Sequence, residues 1–159
     1  DKILTELPKV TINVMSTFNA LSVFTYDELI DKVFEVKKKH ANKQRYWISA
    51  IQLDTSYLRW PTFLSVKILE EESKQLILKS AEKALYLGMK KFDHDNYGFS
   101  NIEIQKIKRL YDYAVGTTQF DAGKYRKEFV SFVDQYDERR GTDFVGTFPQ
   151  LEEFYNNNK

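Results

Sequence analysis

Few side chains in this sequence could carry chemistry on their own. There is no cysteine, so this chain holds no disulfide, no thiol nucleophile, no zinc ribbon and no thiolate-ligated iron–sulfur cluster. The two histidines are far apart in sequence. His40 falls at a lysine-rich helix end and reads as a solvated surface residue. His94 lies in Asp93-His-Asp-Asn-Tyr-Gly98, where Asp93, Asp95, Gly98 and Asn101 match positions 1, 3, 6 and 9 of a calcium loop. Tyr97, Ser100 and Ile104 break that pattern, and Ile104 stands where a bidentate Glu is required. The segment therefore reads as a turn in which Asp and Asn bond their own backbone, with no metal ligated. Phosphate-binding Gly-rich loops, the Gly-x-Ser-x-Gly elbow and the His-Glu-x-x-His pair are all missing from the sequence.

What remains are positional candidates. Asp137-Glu-Arg-Arg-Gly-Thr-Asp143 packs five charges into seven residues. It reads as a salt-bridged helix terminus, with Arg139 or Arg140 gripping a carboxylate or phosphate as the functional alternative. Asp54 and Arg59 lie in Leu53-Asp-Thr-Ser-Tyr-Leu-Arg-Trp-Pro61, just after the end of an apolar run, and Ser16, Thr17 and Asn19 follow another. Loops after parallel strands carry the sites of α/β folds, so these five are ligand-binding candidates. The competing reading makes each a helix cap or turn former. A cofactor-free enzyme would need two carboxylates, from Asp54, Asp137 and Glu138, to converge in one cleft with their pKa values pushed apart.

The elements that must position these residues follow from periodicity. Val10, Ile12 and Val14 alternate with polar neighbours, which predicts a strand over 9–15. Thr25-Tyr-Asp-Glu28 has the spacing of a capping box. Tyr26, Leu29, Ile30, Val33 and Phe34 then mark one face of a helix ending near Lys39, with Lys37-Lys38-Lys39 as its solvated, dipole-complementing last turn. The nearly continuous apolar run 46–53 has the length of a buried strand. Together these make a βαβ unit with parallel strands. Leu64, Val66 and Ile68 alternate after Pro61 and predict one further strand.

From Glu70 onward the pattern is helical. A first helix stops near Gly88 and a second is opened by the capping box Ser100-Asn-Ile-Glu103. A third is capped by Asp121 and ends before Gly141, and a short fourth starts at Thr147-Phe-Pro-Gln150 with Pro149 in its first turn. Residues 156–159 read as a frayed polar tail. The expected fold is α/β: a small parallel sheet (βαβ plus one further strand, as in part of a barrel) over 1–69, followed by a four-helix region over 70–159, in one compact domain. So few strands do not close a barrel, which takes about eight. The strand edges must be covered by the C-terminal helices, by a partner copy through self-association, or by a missing part of the polypeptide.

Composition bounds the function classes. At 159 residues the chain suits one domain. Its 24 Lys+Arg and 23 Asp+Glu leave a net charge of +1, without the basic excess of a nucleic-acid binder. No apolar run approaches the roughly 20 residues of a membrane span, and no signal peptide is read at the N-terminus, so a cytoplasmic location is expected. The 12 Phe, 10 Tyr and 2 Trp read as a core and interface rich in large rings. The chain opens on Asp1 rather than Met, as in a processed product or a piece of a longer protein.

Three stretches resemble radical S-adenosylmethionine proteins of the twitch/SPASM-like kind. Ile12-Asn-Val-Met-Ser-Thr-Phe-Asn-Ala-Leu-Ser-Val-Phe24 is similar to a late strand and loop of their partial barrel. Leu58-Arg-Trp-Pro-Thr-Phe-Leu-Ser-Val-Lys-Ile-Leu69 resembles the P-x-x-L-S-x-x-x-L-P stretch those proteins carry before a helix. Tyr136-Asp-Glu-Arg-Arg-Gly-Thr-Asp-Phe-Val-Gly-Thr-Phe-Pro149 is similar to their D-x-x-R-x-x-x-F-x-x-x-F-P ending. The resemblance implies a C-terminal half whose cluster-binding CxxxCxxC half is absent from this sequence. S-adenosylmethionine would then be bound only with that missing half, and the chain alone would be inactive. By the same analogy Ser16, Thr17, Asn19, Gln52 and Asp54 would face the S-adenosylmethionine or substrate side. The alternative is a non-enzymatic, homo-oligomeric interaction module.

Overall fold

The computed structural model describes residues 1–7, 9–41, 49–88, 97–116 and 119–159. The start of the expected second strand (46–48) and the Asp93, His94 and Asp95 of the calcium-loop-like segment lie outside these residues.

The chain order is α1 (Lys2–Glu6), β1 (Ile12–Phe18), α2 (Tyr26–Lys39), β2 (Ile51–Tyr57), α3 (Glu71–Gly88), α4 (Asn101–Val115), α5 (Ala122–Arg140), α6 (Phe144–Thr147) and α7 (Glu152–Asn156). Short 3-10 turns fill Ala20–Ser22, Thr62–Leu64, Val66–Ile68 and Pro149–Leu151. The architecture is α/β: a βαβ unit followed by a helical region. Among the described residues no helix is long and apolar enough to cross a membrane.

The two strands pair in parallel, with Ile12 opposite Ile51 and Phe18 opposite Tyr57. The expected third strand is instead the pair of 3-10 turns at 62–68. The alternation of Leu64, Val66 and Ile68 misled because a 3-10 turn also sends near neighbours to different sides. Val66, Ile68 and Leu69 are each almost completely buried, and Ser65 caps the second turn by accepting from Lys67 N. Arg126 Nε on α5 donates to the Ile68 carbonyl at 2.6 Å and ties the turns to the helical region.

Both strands run further than periodicity suggests. Their second halves, Ser16-Thr-Phe18 and Asp54-Thr-Ser-Tyr57, carry polar residues on both faces, so hydrophobic alternation does not mark them. Ile51, Leu53 and Thr55 point into the core, while Asn13, Met15, Thr17 and Ser56 stay exposed on the other face.

Helix ends follow the sequence in part. Ser100 and Glu103 form the full capping box of α4, and Asp121 accepts from Lys124 N to cap α5. Gly141 ends α5 in the left-handed region at φ 62°, where a Cβ would be strained. Thr25 stands at the N-cap of α2, but its hydroxyl makes no capping bond. The short helix expected from Thr147 is split: Asp143 caps α6, and a 3-10 turn with Pro149 at its start leads into α7.

The core joins the sheet to α2, α3, α4 and α5 in one cluster that includes Phe18, Tyr26, Ile107, Leu110 and Phe129. Aromatic contacts cluster at the C-terminal end, where Phe144 packs against Phe129, Phe148 and Tyr155.

Candidate functional site

The most polar interior feature lies where α2, β2 and the start of α4 meet. On α2, Tyr26, Ile30, Val33 and Lys37 fall on one stripe and are all buried. Lys37 is thus carried into the core by the same periodicity that buries the apolar residues. This corrects its expected solvation as part of a lysine-rich helix end.

Its partner is Glu103, in the first turn of α4. The side chains of Lys37 and Glu103 are 0% and 5% exposed, with Lys37 Nζ 2.9 Å from Glu103 Oε1. Every polar atom of the pair is engaged. Glu103 Oε1 also accepts from Leu53 N at 2.8 Å, and Oε2 accepts from Ser100 N at 2.7 Å and from Lys37 at 3.1 Å. Lys37 donates further to Ser49 Oγ, and its ammonium stands 5.2 Å from the Phe99 ring centre. Ser49 in turn donates to the Ile51 carbonyl. Burial pulls the Lys37 pKa below the usual lysine value, while the charge and hydrogen bonds of Glu103 oppose that shift.

Glu103 also closes one side of the sheet. Ile12 N donates to Ala50 O and Leu58 N donates to Phe18 O, so the even-numbered residues of both strands face one another in the ladder. The backbone of Leu53 therefore points to the outer edge of β2, and the Glu103 carboxylate caps it. On the opposite side, the backbone groups of Asn13, Met15 and Thr17 point out from β1, and no strand covers them among the described residues. The Thr17 carbonyl there accepts from Asn19 Nδ2.

A second polar cluster sits beside this pair on the open face of the sheet. Asp54 Oδ1 accepts from Lys106 Nζ of α4 at 2.6 Å. Asn13, Gln52 and Ser100 share a small cavity with them, of about 90 Å³.

The sequence candidates are thus separated. Ser16 and Thr17 lie within β1, and Gln52 and Asp54 lie within β2, not after it. Gln52 and Asp54 come together; Ser16 and Thr17 do not join them. Asn19 is a turn former: its Oδ1 accepts from Leu21 N to cap a 3-10 turn. Arg59 folds back on its own neighbour, with Nη2 donating to the Tyr57 hydroxyl at 2.8 Å.

At the other end of the molecule, Asp137 accepts from Thr142 Oγ1 and Phe144 N, so it fixes the α5–α6 turn. Arg139 and Arg140 are exposed, and no ion pair engages either among the described residues. Arg140 stands over the Tyr136 ring. The expected salt-bridged terminus is therefore an Asp-capped turn, because backbone and hydroxyl donors have already taken the Asp137 oxygens. Glu138 is exposed, Asp137 lines an apolar groove and Asp54 lines the small cavity with Lys106, so neither of these two cavities brings two of the three carboxylates together. Among the described residues no group of three His, Asp or Glu side chains is placed to hold a metal.

An apolar groove of about 360 Å³ lies between the Thr62–Leu64 turn, α5 and α6, lined by Leu64, Phe129, Phe132, Tyr136, Phe144 and Phe148 among others. Lys37, Glu103 and Lys106 were missed as site residues. For Lys37 the signal is its place on the buried stripe of α2; for Lys106 the sequence carries none. No family model, curated protein or solved structure matches this chain.

Proposed function

We infer that this chain is the C-terminal, cap-bearing portion of a radical S-adenosylmethionine-type protein, and that a preceding parallel strand completes its sheet at the β1 edge. The observation that carries this reading is the one-sided sheet. At its β2 edge Glu103 accepts from Leu53 N, whereas at its β1 edge the backbone groups of Asn13, Met15 and Thr17 meet no strand among the described residues. Residues 10–18 contain no charge, proline or glycine, which are the usual devices that protect a free edge. An unprotected edge of this kind suits a strand that is normally paired.

The three stretches that resemble the family form scaffold here: β1 with its turn, the buried 62–69 segment, and the capped α5–α6 junction. On this reading the face carrying Asn13, Thr17, Gln52 and Asp54 looks into the partial barrel, and the helical region closes its side. With no cysteine, the chain itself supplies no thiolate to a cluster. Iron–sulfur and S-adenosylmethionine chemistry would come from the preceding part.

The test is the reading frame upstream of Asp1. An in-frame CxxxCxxC, and a longer product that takes up a [4Fe–4S] cluster and cleaves S-adenosylmethionine, is the expected result. A frame with no such loop overturns the reading.

One observation favours a second reading. Met15, at the centre of the open edge, is 82% exposed. A second copy could pair there through the same backbone groups, making a homo-oligomeric interaction module. Light scattering that finds a dimer of the chain, lost on placing a lysine at Met15, supports this reading; a monomer at high concentration rejects it.

A further inference from the structure

The geometry points to a binding site for a zwitterionic head group, an ammonium and a carboxylate a few bonds apart as in a free α-amino acid, in the cavity between Asp54 and Lys106. It rests on the proposed function only in treating the open sheet face as the ligand-facing one; the cavity is built by this chain alone.

The cavity of about 90 Å³ lies between the open sheet face and the first turns of α4. At about 30 Å³ per water it has room for roughly three waters, which suits a head group and not a ring system. Its chemistry comes from an ion pair and two carboxamides. Lys106 Nζ binds Asp54 Oδ1 at 2.6 Å, which leaves Asp54 Oδ2 as an acceptor and the remaining ammonium protons as donors. Both side chains keep about a third of their surface in solvent, at 27% for Lys106 and 35% for Asp54.

Asn13 and Gln52 are partners in the parallel register, so they stand side by side on this face. Neither carboxamide has a hydrogen-bonding partner among the described residues, and each offers both a donor and an acceptor.

Glu103 and Ser100 border the cavity but are spent. Both Glu103 oxygens serve Lys37, Leu53 and Ser100, and the Ser100 hydroxyl caps Glu103 N. The charged groups left to meet a ligand are those of the Asp54–Lys106 pair, so selectivity falls to it. That pair is neutral overall, so a lone anion meets Asp54 and a lone cation meets Lys106. A ligand with both charges can lie antiparallel to the pair, its ammonium at Asp54 Oδ2 and its carboxylate at Lys106 Nζ. The two carboxamides then take up the remaining donors and acceptors.

Titrating isotope-labelled protein with glycine tests this by NMR. Saturable shifts are expected at Asn13, Gln52, Asp54 and Lys106. Acetate and methylammonium, each half of glycine, should bind at least about tenfold more weakly, which corresponds to about 1.4 kcal/mol. Asp54→Asn should weaken glycine binding by a similar factor, and so should Gln52→Leu, which breaks no ion pair and guards against an unfolded D54N. Ser56→Ala, exposed on the same face but outside the cavity, should leave binding unchanged. Shifts that fail to saturate, shifts scattered over the surface, or acetate binding as tightly as glycine would each overturn the proposal. None of these outcomes bears on the upstream cysteine loop, so the two readings fail separately.

Discussion

Lys37 and Glu103 show what a buried ion pair demands. Removing charges from water costs several kcal/mol each, and this is offset only when every donor and acceptor is met. Here Lys37 and Glu103 meet each other and three further partners, Ser49 Oγ, Leu53 N and Ser100 N. Glu103→Gln keeps the shape but leaves the ammonium uncompensated, and should cost about 3–5 kcal/mol in denaturant unfolding. Lys37→Met combined with Glu103→Leu should recover a large part of that loss. If the single variant is as stable as the parent, the pair has no structural role.

Tyr26 gives a pH prediction. Its hydroxyl bonds Thr55 Oγ1 at 2.6 Å, and burial pushes its pKa from 10.0 up to about 12, with the Thr55 bond opposing the shift. A pKa raised by folding contributes stability that is complete below the unfolded value and is lost as pH rises through the folded one. Stability from this group should therefore hold below pH 10 and fall away between pH 10 and about 12. The loss should be on the order of 3 kcal/mol. Tyr26→Phe should flatten that part of the alkaline stability profile; an unchanged profile would show that other groups govern it.

Among the helices, the termini are the most legible features. The capping box of α4 and the Asp121 cap of α5 form where the residue spacing places them, because a cap needs only neighbours a few residues away. Ser100→Ala should cost about 1 kcal/mol in chemical denaturation. Gly141→Ala should cost about 1 kcal/mol for the left-handed backbone alone. A Cβ there meets nothing within 4 Å, so no clash contributes. Lys83 links two helices that the sequence does not show to be neighbours. It donates to Asp27 and Asp31 of α2 from α3, at 2.6 Å each. Its partial burial lowers its pKa, but hydrogen bonds and charge from the two aspartates outweigh this and raise it.

For the molecule as a whole, the decisive feature is a parallel sheet with one capped edge and one open edge. The backbone groups of Met15 and Thr17 point away from β2 and meet no further strand among the described residues, and both residues are exposed. Met15→Lys or Thr17→Lys should therefore change stability by no more than about 0.5 kcal/mol. The same variants should block any strand added at β1, whether it comes from a preceding segment or a second copy. A large loss of stability in either variant would show that β1 is not an outer strand.

Periodicity was enough to read the βαβ unit and the helical second half, and local spacing the α4 and α5 caps and the Gly141 stop, since caps and stops depend on contacts within a few residues. By its neighbours Lys37 reads as part of a solvated, lysine-rich helix end, whereas it lies on the buried stripe of α2. Tertiary structure decided the rest. Strand ends slid toward the C-terminus because pairing, not hydrophobicity, sets where a strand stops, and this moved Gln52 and Asp54 from a loop into β2. The partners Lys37 with Glu103 and Asp54 with Lys106 are 66 and 52 residues apart in the chain. No local pattern links residues at such separations; only the docking of α4 against the edge of β2 brings them together.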